Sequence, residues 1–186
     1  MSHQPRNILT DRQLVDQVLG GELQAFSHIV VMTEGLVARI VNQLIPNRED
    51  RKDVAQDIYL KVYQHLHGFK FQSKLSTWVG QIAYNTCLNR LQKKQPAIAD
   101  PPELPADDAT DRKLLRKELD SLLAAEIGRL PPLYQTLIGL YHHEDLSYQE
   151  IAGITGLPEG TVKSYLFRAR RQLKETILAI YKKEKL

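Results

Sequence analysis

The chain has 186 residues, 42% hydrophobic and 25% charged, enough for one ordinary core or two small ones and not the composition of a disordered polymer. It lacks the roughly eighteen consecutive apolar residues of a membrane-spanning helix, and the start MSHQPRNILTDRQ has no apolar signal core, so a cytoplasmic protein is expected. Cys87 is the only cysteine, which excludes an internal disulfide and a zinc ribbon, and the net charge of +3 says less than its distribution.

Residues 1–96 carry 12 Lys/Arg against 8 Asp/Glu, residues 97–130 carry 5 against 8, and residues 131–186 carry 8 against 6. The stretch from Gln95 to Asp111, QPAIADPPELPADDATD, holds four prolines and five acids and no base. Proline removes backbone donors and like charges repel, so this segment is expected to be a flexible acidic linker. The expected organisation is all-α: a small helical domain over 1–95, a linker over 96–111 and a second helical domain over 112–186. Apolar periodicity predicts helices over 11–19, 23–44, 49–67, 75–94, 112–128, 131–142, 147–154 and 159–181. Gly20-Gly21, Pro46-Asn47, Gly68, Pro131-Pro132 and the run from Gly156 to Pro158 supply the breaks.

In the helix 49–67, Val54, Ile58, Val62 and Leu66 recur every four residues and form a core stripe with Ala55 and Tyr59. Asp53, Gln56, Asp57, Leu60 and Gln64 share the opposite side. Such a face is either ordinary solvated surface, with its acids favoured near a helix N-terminus, or a protein-docking patch that Leu60 marks.

The loop FKFQSKLS follows, with Phe69, Phe71, two lysines and two serines. Aromatic, basic and hydroxyl groups together suit a pocket for an unstacked base, although the two rings could equally pack beneath the loop. In the next helix Trp78, Val79 and Ile82 are apolar, while Asn85, Asn89 and Gln92 or Lys93 form a second stripe. Asparagine is mildly unfavourable in mid-helix, and amides can bond base edges while Arg90, Lys93 and Lys94 meet phosphates.

Ser147-Tyr148-Gln149-Glu150 is a capping box that opens a short helix, and Gly156 suits its left-handed stop. A longer helix follows, and this order is that of a DNA-binding helix-turn-helix. At about 100° per residue, Val162, Leu166, Ala169 and Leu173 fall on one narrow stripe, and Gly160, Lys163, Ser164, Phe167, Arg168, Arg171 and Lys174 fall opposite. Residues 158–186 hold 8 bases and 3 acids. A basic face with a serine, an exposed aromatic and a close-approach glycine suits a major groove.

This order of parts resembles the extracytoplasmic-function (ECF) class of bacterial sigma factors, over nearly everything from Thr10 to Lys174. DRQLVDQVLGGELQAF resembles the family's opening segment, and REDRKDVAQDIYLKVYQHL its polymerase-binding helix. The run from Phe69 to Trp78 with IAYNTCLNRL resembles the −10 region, and LPPLYQTLIGLYHHEDLSYQEIAGITGLPEGTVKSYLFRARRQL the −35 region.

The resemblance implies that Asp53, Gln56, Asp57 and Leu60 dock on core RNA polymerase. It implies that the loop carrying Phe69, Phe71, Ser73, Lys74 and Ser76, with Trp78, captures a flipped base of the −10 element. Asn85, Asn89, Arg90 and Lys93 would read or hold that strand. Gly160, Thr161, Lys163, Ser164, Phe167, Arg168, Arg171 and Lys174 would lie at the −35 groove. The linker would thread toward the RNA exit path. The implied partners are core polymerase, promoter DNA (duplex at −35, single-stranded at −10) and an anti-sigma factor, with no small-molecule substrate, cofactor or metal. Phe71 and Gln72 depart from the family's frequent glycine and acid, and Tyr165 from a frequent base.

Two other classes compete with this reading. A stand-alone helix-turn-helix regulator explains residues 131–186 but leaves the acidic face and the aromatic loop without a task. An enzyme finds no support: His65/His67 and His142-His143 lack ligand spacing, Gly153, Gly156 and Gly160 follow no strand, and no nucleophile–base pair is visible.

Overall fold

A computed structural model describes residues 10–93 and 121–183, and every element of regular structure among them is a helix. The expected linker, 96–111, and the first part of the expected helix 112–128 lie outside the described residues. In chain order the helices are α1 (Asp11–Leu19), α2 (Leu23–Leu44), α3 (Arg48–His65), α4 (Leu75–Lys93), α5 (121–128), α6 (Pro132–His142), α7 (Tyr148–Thr155) and α8 (Glu159–Lys183).

Local chemistry sets most of these boundaries. Thr10 and Gln13 form a capping box at α1, in which the Gln13 amide donates to Thr10 Oγ1 and the Thr10 amide donates to Gln13 Oε1 at 2.8 Å. Asn47 Oδ1 accepts from the Glu49 amide at 3.0 Å, and Glu49 and Asp50 place charge at the positive end of α3. The expected helix 49–67 ends as α-helix at His65. Its last turn tightens into a 3₁₀ turn, Leu66–Gly68, which buries Leu66. Gln135 of α6 donates to the carbonyls of Gly128 and Leu130 at 2.9 and 2.7 Å, satisfying acceptors where α5 stops.

Helix α2 is central and packs on α1, α3, α4 and α6. Helix α4 packs on α2, α3 and α7, and α8 packs on α6 and α7. The core is continuous through both halves. It runs from Ile29, Ile40, Val54, Ile58 and Val79 to Leu137, Leu140, Ile151, Ile154 and Leu166, all 4% exposed or less. Full burial of such a side chain contributes about 1.5–3 kcal/mol. The stripes expected on α3 and α8 are the ones buried: Val54, Ile58, Val62 and Leu66 on one side, Val162, Leu166, Ala169 and Leu173 on the other.

Candidate promoter-binding surfaces

The buried stripe of α3 turns Asp53, Gln56, Asp57, Leu60 and Gln64 outward, and all five are exposed. Leu60 is 56% exposed, and Tyr63, one helical turn on, is 46% exposed with its edge against Phe26 of α2. An acidic helix face with an uncovered Leu–Tyr pair is suited to a protein surface carrying basic and apolar groups. Tyr63 was not singled out from the sequence, because its position beside the core stripe gave no signal of exposure.

The loop between the 3₁₀ turn and α4 is held from two directions. Phe69 is 6% exposed and lies between Phe71 (centroids 4.7 Å apart) and Trp78 (5.2 Å). A base cannot stack on Phe69 without drawing that ring out of the core, so Phe69 supports the loop instead of offering a face. Trp78, half-buried on Phe69, shares this support. Phe71 is half-exposed, has φ +55°, and carries the Arg12 guanidinium 4.5 Å from its ring centroid. A left-handed backbone at a bulky residue costs on the order of 1–3 kcal/mol and persists only where the surroundings hold it. Here the aromatic cluster on one side and α1 on the other do so. The Asp11 carboxylate accepts from the Leu75 amide at 2.7 Å and so caps α4 from a distant part of the chain.

Of the other loop residues, Ser73 and Lys74 are exposed and Ser76 is half-buried. Lys74 Nζ pairs with Glu150 Oε1 of α7 at 2.7 Å. Along α4, Asn85, Asn89 and Gln92 are exposed on one stripe, as their spacing predicts. Arg90 is turned toward α3, with Nη2 3.7 Å from Asp50 Oδ1, so it is partly committed within the protein. The side chain of Lys93 lies outside the described residues.

The helix-turn-helix is built as its sequence indicates. Glu150 Oε2 accepts from the Ser147 amide at 2.9 Å, and Ser147 Oγ accepts from the Glu150 amide at 3.2 Å. The Lys74 ammonium, then the Ser147 amide and hydroxyl, hold the Glu150 carboxyl at about 2, so it is charged throughout the physiological range. Gly156, at φ +73° and ψ 6°, ends α7 in the left-handed region. The amides of Thr161 and Val162 donate to the Pro158 carbonyl at 2.9 and 3.0 Å and open α8.

On α8 the buried stripe leaves Gly160, Lys163, Ser164, Phe167, Arg168, Arg171 and Lys174 exposed, with Phe167 at 66%. Thr161 is half-buried at the rim. Ser164 Oγ donates to the Gly160 carbonyl at 2.8 Å, and Arg171 Nε pairs with Glu175 one turn on at 2.8 Å. Gly160 has open space where a Cβ would stand, so nothing within the protein obstructs approach to its backbone. Tyr165, where the family often carries a base, packs at a tilt against Tyr134 with centroids 5.6 Å apart and joins α8 to α6.

One support was missed from sequence. The Arg170 guanidinium lies 4.6 Å from the Tyr141 ring centroid, and its Nε donates to His142 Nε2 at 3.2 Å. Burial first, then the charge of Arg170, lower the His142 pKa and so favour the neutral ring that can accept this bond. Tyr141 in turn stacks on Tyr148 at 5.2 Å. Arg170 thus ties α6, α7 and α8 together and fixes the angle at which α8 presents its basic face. The aromatic residues at 141 and 148 were the available signal, but their convergence depends on the α6–α7–α8 crossing.

Comparison with known proteins agrees with this arrangement. The Sigma-70 region 2 family matches residues 29–96, and the Sigma-70 region 4 family matches 121–173. The ECF RNA polymerase sigma-E factor of Haemophilus influenzae is 33% identical over 182 residues, covering 91% of this chain and 96% of that protein. The RNA polymerase sigma-H factor of Pseudomonas aeruginosa is 30% identical over 183 residues, covering 90% and 93%. Among solved structures, the sigma factor RpoE of Bartonella quintana, in complex with the anti-sigma factor NepR, shares the fold at a TM-score of 0.67 and 20% identity, over 83% of this chain and 98% of that one. The chain therefore belongs to the sigma-70 family, and within it to the ECF RNA polymerase sigma factors, which direct promoter-specific transcription initiation.

Proposed function

We propose that the protein docks on core RNA polymerase through Asp53, Gln56, Asp57 and Leu60 of α3, extended by Tyr63. In this reading the −35 element is read in the duplex major groove by Lys163, Ser164, Phe167 and Arg168, with Gly160 allowing approach and Arg171 and Lys174 meeting phosphates. The −10 strand is received by Phe71, Ser73, Lys74 and Ser76 of the loop and by Asn85 and Asn89 of α4, and the loop helps open the duplex by holding one flipped base. Arg12 adds a cation beside Phe71. Phe69 and Trp78 position the loop from within. The protein itself catalyses no reaction; it acts in the cytoplasm, where the polymerase supplies the chemistry. An anti-sigma factor is a further proposed partner, since the RpoE relative was solved with one.

The observation that carries this reading is the division of α8. Its one apolar stripe is buried in the core, and its opposite face is an exposed set of basic, hydroxyl and aromatic groups, with Arg171 paired to Glu175 one turn on. The test is run-off transcription by core polymerase, with and without the protein, across a library of genomic promoter fragments. Protein-dependent transcripts with a shared pair of upstream elements are expected. Tight binding of duplex sites by the isolated protein, without any polymerase-dependent transcript, would replace this reading with that of a stand-alone regulator.

A further inference from the structure

Two groups cover the Phe71 ring. Phe69 packs on its inner side, with centroids 4.7 Å apart and planes tilted by 54°. The Arg12 guanidinium lies over it from α1, 4.5 Å from the ring centroid. Phe69 is buried and cannot leave without opening the core, whereas Arg12 is exposed and its long side chain can rotate away. A base that stacks on Phe71 therefore takes the place of Arg12.

Arg12 stays close when it is displaced, because its backbone is fixed. Asp11, the residue before it, accepts from the Leu75 amide at 2.7 Å, and the Thr10–Gln13 capping box closes the same turn. Leu14 and Val15, just beyond, are buried in the core. Among the described residues no carboxylate pairs with Arg12, so moving its guanidinium breaks no ion pair. Lys74 differs, since its ammonium is held by Glu150 at 2.7 Å.

The backbone of Phe71 adds a second observation. Its φ of +55° is free to glycine and costly to a bulky side chain. Strain of this kind collects at ligand clamps. Here it sets an aromatic ring beneath a guanidinium that is otherwise uncommitted.

A guanidinium is planar, permanently charged and weakly hydrated, and it stacks on the faces of bases. A base has two faces, so it can lie on Phe71 and carry Arg12 on the other. A base stacked on an aromatic ring is held more strongly than an exposed cation over that ring, so the base displaces the guanidinium and not the reverse.

We propose that Arg12 is the second wall of the base slot: the flipped −10 base enters between the Phe71 ring and the Arg12 guanidinium, which then closes on its outer face. This rests on the base capture assigned above to Phe71. Arg12 meets the face of the base and not its edge, so it strengthens capture of all four bases about equally.

The test titrates holoenzyme, formed with the full chain, with labelled single-stranded −10 oligonucleotides: one intact, and a series in which each member lacks one base. Arg12→Ala is expected to weaken the intact strand about 2- to 30-fold. Arg12→Lys, which keeps the charge and loses the plane, is expected to recover only part of this. Arg12→Ala and Phe71→Ala are both expected to lose their effect on the same abasic strand.

Unchanged binding by Arg12→Ala overturns the slot, and so does tighter binding, which would show that Arg12 only shields the ring. Full recovery by Arg12→Lys, or an equal loss on every strand of the series, assigns Arg12 to a phosphate or to support of the loop and overturns it too. A loss confined to one base identity overturns it in favour of edge reading. If Phe71→Ala binds the intact strand as wild type does, base capture itself fails and the slot with it. That outcome is distinct from failure of Arg12 alone, in which Phe71→Ala weakens the strand and Arg12→Ala does not.

Discussion

The Asp11 carboxylate, at the first position of α1, accepts a hydrogen bond at 2.7 Å from the amide of Leu75, at the first position of α4. Arg12, the next residue, covers the Phe71 ring. Two consecutive residues of α1 therefore fix both the start of α4 and the strained residue of the loop before it. Replacing a helix-capping oxygen costs about 1 kcal/mol. Asp11→Ala is expected to lower the melting temperature by about 2–6 °C and to weaken −10 strand binding more than −35 binding, with Asp11→Asn restoring part of both. Calorimetry and binding of single-stranded −10 oligonucleotides by the holoenzyme measure this; an unchanged melting temperature would remove the cap from the argument.

For the polymerase-docking face, the exposed row Asp53, Gln56, Asp57 and Leu60 sits opposite a fully buried stripe, so its side chains can be changed without touching the core. Asp57→Arg is expected to abolish co-purification with core polymerase while leaving helicity intact. Core polymerase retained at the wild-type level would identify this face as ordinary surface.

Base capture by the loop should separate binding from opening. Stacking on an aromatic ring is worth about 1–3 kcal/mol per base, or roughly 5- to 150-fold. Phe71→Ala and Asn85→Ala are expected to reduce open-complex formation by that order, with closed-complex formation little changed. Permanganate reactivity of the melted strand reports the difference, and wild-type footprints for both variants would remove the pocket assignment. Phe69→Ala is expected to behave differently: its ring is buried, so the dominant loss is about 3–5 kcal/mol of stability.

Much of the fold is legible in the sequence for local reasons. The Ser147–Glu150 capping box, the Gly156 stop and the period of Val162, Leu166, Ala169 and Leu173 are short-range signals, and α7 and α8 follow them closely. Helix α4 is less legible because α2, α3 and α7 all pack against it. Leu75, Val79, Gly80, Ala83, Tyr84 and Cys87 are all buried, and such a helix shows no single apolar face. The site divides in the same way. Residues 163, 164, 167 and 168 of α8 follow from one helix's geometry. The Asp11–Leu75 bond, the Phe69–Trp78 cluster and the Lys74–Glu150 pair join residues 64, 9 and 76 positions apart. The two long-range contacts depend on tertiary packing that no local pattern encodes.

Cys87 reports on that packing. Burial pushes its thiol up to about 12, against a small opposing effect of Lys61. At pH 8 the native thiol is therefore held in its unreactive protonated form. The folded protein is expected to resist maleimide or disulfide-exchange labelling for as long as α4 stays docked, and to react stoichiometrically in denaturant. Rapid full labelling of the native chain would show that the α3–α4 core opens readily.

The last expectation distinguishes reading from holding on α8. Lys163, Ser164, Phe167 and Arg168 occupy an arc of about 140° at 100° per residue, so they can face one groove together. Arg168 is exposed, and its fork geometry matches the two acceptors of a guanine edge, a contact worth about 1–3 kcal/mol of discrimination. Arg168→Ala is therefore expected to relax preference at one or two −35 positions by about 5- to 150-fold. Lys174 lies further along the same face and suits a phosphate. Lys174→Ala is expected to weaken all sequences about equally and to lower the salt slope by roughly one unit. Arg170→Ala, which removes the tie to Tyr141 and His142, is expected to weaken specific and nonspecific binding together by changing how α8 is presented. Selection of −35 sequences from a randomised library with each holoenzyme variant separates the three. A wild-type preference from Arg168→Ala would assign base reading to Lys163, Ser164 and Phe167 instead.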